Sequence, residues 1–269
     1  MHIAVLLAGV ADPKKLLPKP ASSNWRDLPA DTAVSYKLSP FDEAALEIAL
    51  KLRDQGVATR VTAIVTDGAY DVTLLRAVAA LKPDTVRGLN PPQAQRGNPA
   101  WLATHAAGLL REDDTWPSLV LIGREHGDLD DGMTAAYLAD AWQLPYAGQA
   151  LQVRPSPDGG WTLLRSGALN DESLHLPAPA LASISNDKSN RLRHPLMKNV
   201  ALAKQMTFSQ AVPDGASPAP AIALTDAALP QTAARGENAC RMLSGSVEEQ
   251  ATALAAYLRA PLAQENHHA

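Results

Sequence analysis

The sequence predicts an α/β fold: a doubly wound, mostly parallel sheet with a β-hairpin extension and a C-terminal helical arm. Three observations predict it. Short apolar runs alternate with amphipathic helix patterns through the first half of the chain, the pattern of parallel strands joined by helical crossovers. Beyond Gln149 two strand-like runs flank a Pro/Gly turn, which reads as a hairpin. A Pro/Ala-rich stretch, Val212 to Ala234, then separates the body from one last helix. The expected division is an α/β domain over residues 1–208 and a linker with its arm over 209–269.

The elements follow in order. Ile3 to Leu7 is a short apolar run closed by Gly9, Asp12 and Pro13, hence a buried strand feeding a loop. Lys14 to Pro29 carries three prolines and is expected to be irregular. Ser39 can cap the next helix, Pro40 suits its first position, and Asp42 and Glu43 suit its positive end. Ala45, Ile48, Ala49 and Leu52 give that helix one apolar stripe, and Gly56 stops it. Thr59 to Thr66 is β-branched and short, a strand, and a helix follows from Val72 to Lys82. A weak strand at Thr85 to Arg87, a helix at Pro99 to Leu110 and a buried strand at Leu119 to Ile122 continue the alternation. Gly123 to Met133 is a loop, and an alanine-rich helix runs from Thr134 to Trp142.

Gln149 to Arg154 and Trp161 to Leu164 form the expected hairpin, and Ala180 to Ser185 a further strand. Asn186 to Lys204 is polar and basic. In the last helix Ser246 and Glu249 make a capping box, and Val247, Ala251, Leu254 and Leu258 share a face. One helix beyond a long linker cannot bury such a stripe unaided, so it needs something to pack on.

Composition excludes several classes. The 269 residues are 46% hydrophobic and 19% charged, an ordinary balance for a folded domain; at 4% aromatic the core must be aliphatic. No run approaches the roughly 18 apolar residues of a membrane span. The first residues lack the basic-then-apolar order of a secretory signal, so a cytoplasmic location is expected. A single cysteine, Cys240, rules out an internal disulfide and multi-cysteine metal sites; no metal is expected. A net charge of −4 argues against nucleic acid as partner.

Most catalytic signatures are missing: no GxGxxG after the first strand, no GxxxxGK[ST], no GxSxG and no HExxH. His267 and His268 sit at the terminus and are not taken as ligands. The segment that stands out is GREHGDLDDGMT, Gly123 to Thr134, which leaves a buried strand and opens a helix. Such loops are where α/β sheets bind phosphates, and free N–H groups near Gly132, Met133 and Thr134 would face an anion. Its acids, Glu125, Asp128, Asp130 and Asp131, would repel a phosphate unless they turn outwards or cap the backbone. Gly132 stands fifth from Asp128 where a calcium loop needs its glycine sixth, which argues against calcium. Taken alone, the loop reads equally as a nucleotide site or as a well-capped helix start.

Several segments together resemble one family, the β subunit of electron transfer flavoprotein. SPFDEAALEIALKLRDQG (Ser39 to Gly56) is similar to its Asn-Pro-Phe helix start, and TDGAYDVTLLRAVAALKPD (Thr66 to Asp84) to its second strand end and helix. Leu119 to Pro145 resembles its nucleotide loop and helix, Leu176 to Lys204 its Leu-Pro-Ala strand and basic Pro-x-x-Met-Lys loop, and Ala239 to Leu258 its C-terminal arm. The resemblance implies an electron-carrier subunit, not an enzyme, whose arm wraps an α subunit that mainly holds the redox FAD. It implies a flavoprotein dehydrogenase as electron donor and a quinone reductase as acceptor, with AMP or a second FAD in this subunit. It carries cofactor contacts to Leu6, Ser39, Pro40, Phe41, Asp42, Asp67, Gly123, Arg124, Asp128, Asp130, Asp131, Gly132, Met133 and Thr134. Docking to the donor falls on Arg191, Leu192, Arg193, His194 and Lys198.

The sequence departs from the family pattern in places. Ala8 stands for a lysine after the first strand, Pro13 for a tyrosine, Ser39 for the helix-opening asparagine, and Gly132-Met133 for an Asn-Gln pair. The family's protruding leucine before a proline aligns with His194, or with Leu192 in a shifted register. The alternative reading is an adenine-nucleotide enzyme or sensor on a related fold.

Overall fold

β1 (His2–Ala11) is the centre of the main sheet, and its alternating side chains feed two separate cores. Ile3, Val5 and Leu7 point to one face, Ala4 and Leu6 to the other, all fully buried. A strand buried on both sides must read as a continuous apolar run, which is why Ile3 to Leu7 shows no polar alternation. These positions come from a computed structural model, which describes residues 1–15, 35–67, 69, 71–92, 95–111, 115–130, 132–211, 213 and 242–265. Most of the Lys14 to Pro29 stretch, Gly68, Asp131, Cys240, His267, His268 and, apart from Pro213, the Val212 to Ala234 linker lie outside the described residues.

A short β2 (Tyr36–Leu38) pairs antiparallel with the end of β1 and leads into α1 (Pro40–Asp54). β3 (Arg60–Asp67), α2 (Val72–Ala80), β4 (Thr85–Leu89) and α3 (Pro99–Leu110) follow. Then come β5 (Leu119–Gly123), α4 (Thr134–Trp142) and β6 (Tyr146–Ala150). With β10 (Ala180–Ile184) and β11 (Ser209–Ala211) the sheet order is β11-β4-β3-β1-β5-β10-β6, parallel throughout. α1 and α2 pack on one face, α3 and α4 on the other. The order therefore reverses at β1, between β3 and β5, and a crevice for ligands is expected at the carboxyl ends of those strands. The doubly wound expectation holds.

The hairpin also holds, enlarged by a strand. β7 (Gln152–Pro155), β8 (Trp161–Ser166) and β9 (Asp171–Leu176) form a three-stranded antiparallel sheet. The expected first arm, Gln149 to Arg154, is in fact divided: residues up to Ala150 belong to β6 in the main sheet, and β7 starts at Gln152. Trp161 joins the small sheet to the main one, fully buried in the α1-side core, with its indole N–H donating to the Ser118 carbonyl at 2.8 Å.

The polar stretch after β10 is more ordered than its composition suggests. A 3₁₀ turn (Lys188–Asn190) and α5 (Met197–Ala203) interrupt it, and Ala203 packs with Ala79 and Ala80 of α2.

Contacts divide the chain into two units, Met1–Ala21 with Leu28–Thr225, and Ser22–Asp27 with Asp226–Ala269. The described part of the second is α6 (Val247–Glu265) and the residues just before it. Its capping box forms as expected: the Ser246 amide donates to Glu249 Oε2 (2.8 Å) and the Glu249 amide to Ser246 Oγ (3.3 Å). Val247, Ala251, Leu254 and Leu258 are all exposed.

Candidate functional site

At the switch point α1 begins under the ends of β1 and β5. Ser39 caps it: its hydroxyl accepts from the Asp42 amide (3.1 Å) and donates to Asp42 Oδ2 (3.1 Å). The β1–β3 register slips between Leu7 and Ala8, and the Ala8 amide donates to Asp42 Oδ2 at 3.3 Å. Asp42 is thus drawn wholly inside, and its Oδ1 has no hydrogen-bond partner. Burial pushes its carboxyl up from 3.8 to about 8, against the opposing pull of the Ala8 amide and the Ser39 hydroxyl. Near neutral pH this is a largely protonated acid. Gly123 is a glycine for that reason: a Cβ there would lie 2.7 Å from Asp42 Oδ1 and 3.1 Å from Phe41 Cβ.

The loop after β5 is tied down by its own acids. Asp128 Oδ2 accepts from the Ala11 amide at 2.9 Å, joining loop to β1. Asp130 Oδ1 accepts from the amides of Gly132 (3.0 Å), Met133 (3.1 Å) and Thr134 (3.2 Å), and its Oδ2 from the His126 amide (2.7 Å). Gly132 allows the approach because its φ of +94° is one that side chains resist. The amides expected to be free are therefore not free: a carboxylate of this chain already occupies the start of α4. In this structure Asp130 caps the start of α4.

His126 lies beneath this cap. Its Nε2 is 2.6 Å from Thr66 Oγ1, and Thr66 Oγ1 donates to the Leu7 carbonyl (3.3 Å). Which of the two donates in this pair follows from the ring's tautomer. Nδ1 is buried without a partner. Burial pulls the ring from 6.5 down to about 4, with Asp130 acting weakly the other way. The Arg124 guanidinium stacks 4.6 Å from the Phe41 ring centre and pairs with Glu125 at 2.6 Å.

The residues expected to share one crevice face several clefts. Thr66, His126, Asp128 and Thr134 line one with Trp101 and Asn98; Arg124 and Gly132 line another with Tyr146 and Ser183; Pro40 lies on a third beside Arg191. Leu6 is fully buried in the core and Met133 is exposed. Asp67 ends β3. His126 and Thr66 were not singled out by sequence, and Ala8 was noted only as the residue in place of a lysine. The one signal was a histidine four residues before Asp130 inside a loop of acids.

A second surface lies along α1. Arg193 places two guanidinium nitrogens on Glu47 (Nε–Oε2 3.0 Å, Nη2–Oε1 3.0 Å) and a third on Asp54 (2.6 Å). Its own amide also donates to Glu47 Oε2 at 3.1 Å. Those contacts hold the guanidinium's proton more firmly and keep Asp54 ionised below the usual carboxylate range. Leu192 packs partly buried against the α1-side core. Arg191, His194 and Lys198 are exposed, as are two apolar side chains within the same expected docking stretch, Leu196 (70%) and Met197 (81%). These exposed apolar residues follow Pro195 instead of preceding it.

A mostly parallel sheet whose order reverses at β1, above the starts of α1 and α4, defines the class of doubly wound α/β proteins. Residues 29–228 match the electron transfer flavoprotein domain, well over half the chain. The chain belongs to the electron transfer flavoprotein family, as a divergent member on its β-subunit side. It is 28% identical over 186 residues to the mitochondrial electron transfer flavoprotein subunit beta of Oryza sativa subsp. japonica, covering 68% of this chain and 71% of that one. The Homo sapiens subunit beta is 29% identical over 185 residues (64% and 67%), and that of Bradyrhizobium diazoefficiens 28% over 164 residues (57% and 64%). Among the described residues no helix is long and apolar enough to cross a membrane.

Proposed function

We propose that this chain is the β-type subunit of a heterodimeric electron carrier, whose α subunit mainly holds the redox FAD. In this reading the carrier takes electrons from a flavoprotein dehydrogenase and delivers them to a quinone reductase, in the cytoplasm. The chain is then a scaffold and docking subunit without a catalytic residue of its own. The observation that carries the reading is the family match over residues 29–228. The exposed apolar stripe of α6 supports an arm made for a partner, and the Leu196–Met197 projection between Arg191 and Lys198 supports a docking contact.

The family resemblance also implies AMP or a second FAD in this subunit. The amides at the start of α4 do not fit a phosphate as they stand, because Asp130 occupies all three. Asp42 and Asp128 take two further amides at the end of β1. The crevice is satisfied from within, so no role is assigned to a nucleotide phosphate there.

Co-expression with an electron transfer flavoprotein α chain tests the proposal. The expected product is a yellow heterodimer, with mass spectrometry of the denatured complex identifying what nucleotide it carries. A stable, colourless monomer that binds no such α chain overturns it.

A further inference from the structure

The segment from Ser189 to Ala203 is held at both ends and free between. At the first end Lys51 of α1 donates to the Ser189 carbonyl, Asn190 donates to the Leu151 carbonyl at 2.5 Å, and Arg193 grips Glu47 and Asp54. At the other end Ala203 is buried against α2, with Val200 packed beside it. Between the two ends, His194 to Lys198 are all exposed.

The strongest fixing point is the Arg193–Glu47 pair. Glu47 is a charged residue on the inner side of α1, its side chain only 5% exposed, and it receives Arg193 through both side chain and backbone. A two-pronged guanidinium–carboxylate contact fixes orientation as well as distance, which a single lysine bond cannot do. The next residues in the chain are the exposed ones. Every nitrogen of the Arg193 guanidinium is engaged by α1.

We infer that Arg193 is a positioning residue: clamped to Glu47 and Asp54, it sets the angle at which Leu196 and Met197 meet the electron donor, and does not itself contact that donor. The inference rests on the docking reading above and reassigns Arg193 within it. A loop ordered before binding loses less freedom on docking, so releasing the clamp weakens encounter and leaves electron transfer within the formed complex unchanged.

The test uses the heterodimer and a flavoprotein dehydrogenase that reduces the wild type, kept reduced by excess of its own substrate. Arg193→Met is expected to raise KM for the heterodimer about tenfold with kcat within about twofold, a loss of pre-organisation only. Arg193→Lys, which keeps the charge and one bond, is expected to recover part of that loss. Hydrogen exchange of the 191–198 amides is expected to quicken in Arg193→Met, while β1 and β5 stay protected. Should Arg193→Met fail to fold, Glu47→Gln loosens the same clamp with a neutral side chain. If Leu196→Ser raises KM but Arg193→Met alters neither KM nor exchange, the positioning role is overturned and docking stands. If Leu196→Ser leaves KM unchanged, the docking reading falls and the positioning role falls with it.

Discussion

His126 Nε2 sits 2.6 Å from Thr66 Oγ1, which in turn reaches the Leu7 carbonyl at 3.3 Å. Held neutral in the fold, the His126 ring titrates near 4 there and near 6.5 in the unfolded chain. Asp42 does the opposite, near 8 folded and 3.8 unfolded.

The two together shape stability against pH. Between about pH 4 and 6.5 the unfolded chain gains a proton on His126 that the fold refuses, which makes stability rise with pH. Over the same window the fold keeps a proton on Asp42 that the unfolded chain has lost, which makes stability fall with pH. The slopes cancel. From pH 6.5 to 8 Asp42 dominates while the unfolded His126 finishes its titration, and stability is expected to fall by about 1 kcal/mol. Denaturant titrations at closely spaced pH values check this.

Asp42→Asn resembles the protonated acid and keeps an oxygen for the Ala8 amide. It is expected to abolish the decline between pH 6.5 and 8 and to expose the rising limb of His126 between 4 and 6.5. Melting temperatures of the two proteins across that range should cross.

Asp130→Ala removes the acceptor of four amides at once, those of His126, Gly132, Met133 and Thr134. The expected loss is about 1–2 kcal/mol, the scale of a strong helix cap. Urea unfolding measures it, and exchange should quicken first in α4.

Gly123→Ala sets a methyl group 2.7 Å from Asp42 Oδ1 with backbone close on another side. Overpacking of this kind costs about 1–3 kcal/mol, and thermal unfolding should show it.

Paired Leu196→Ser and Met197→Ser changes sit on exposed side chains and are expected to leave stability within about 0.5 kcal/mol. Their effect belongs on the donor's KM, and Lys198→Glu should add a dependence on ionic strength.

The fold was legible where physics writes locally. β1, β3 and β5 are apolar or β-branched runs, and α1 carries its cap, its proline and its acids within five residues. β9 was not legible, since Asp171 to Leu176 is polar and mostly exposed and is a strand only because β8 offers it a ladder. α5 likewise hides in a basic stretch, held by Ala203 against α2. The site was half legible. Asp130 could be named, but whether its carboxylate or a ligand would fill the start of α4 depended on how the loop bends at Gly132. The Arg193–Glu47 pair spans 146 positions of sequence and needs the fold to be seen.

The arch that bears Leu196 has one foot on α1 and the other on α2, two helices lying on the same face of the sheet. A bridge between two piers records any change in their spacing. Substitutions in the core beneath those helices, at Leu46 or Leu75 for instance, would therefore surface as altered choice of companion, in residues that never meet it.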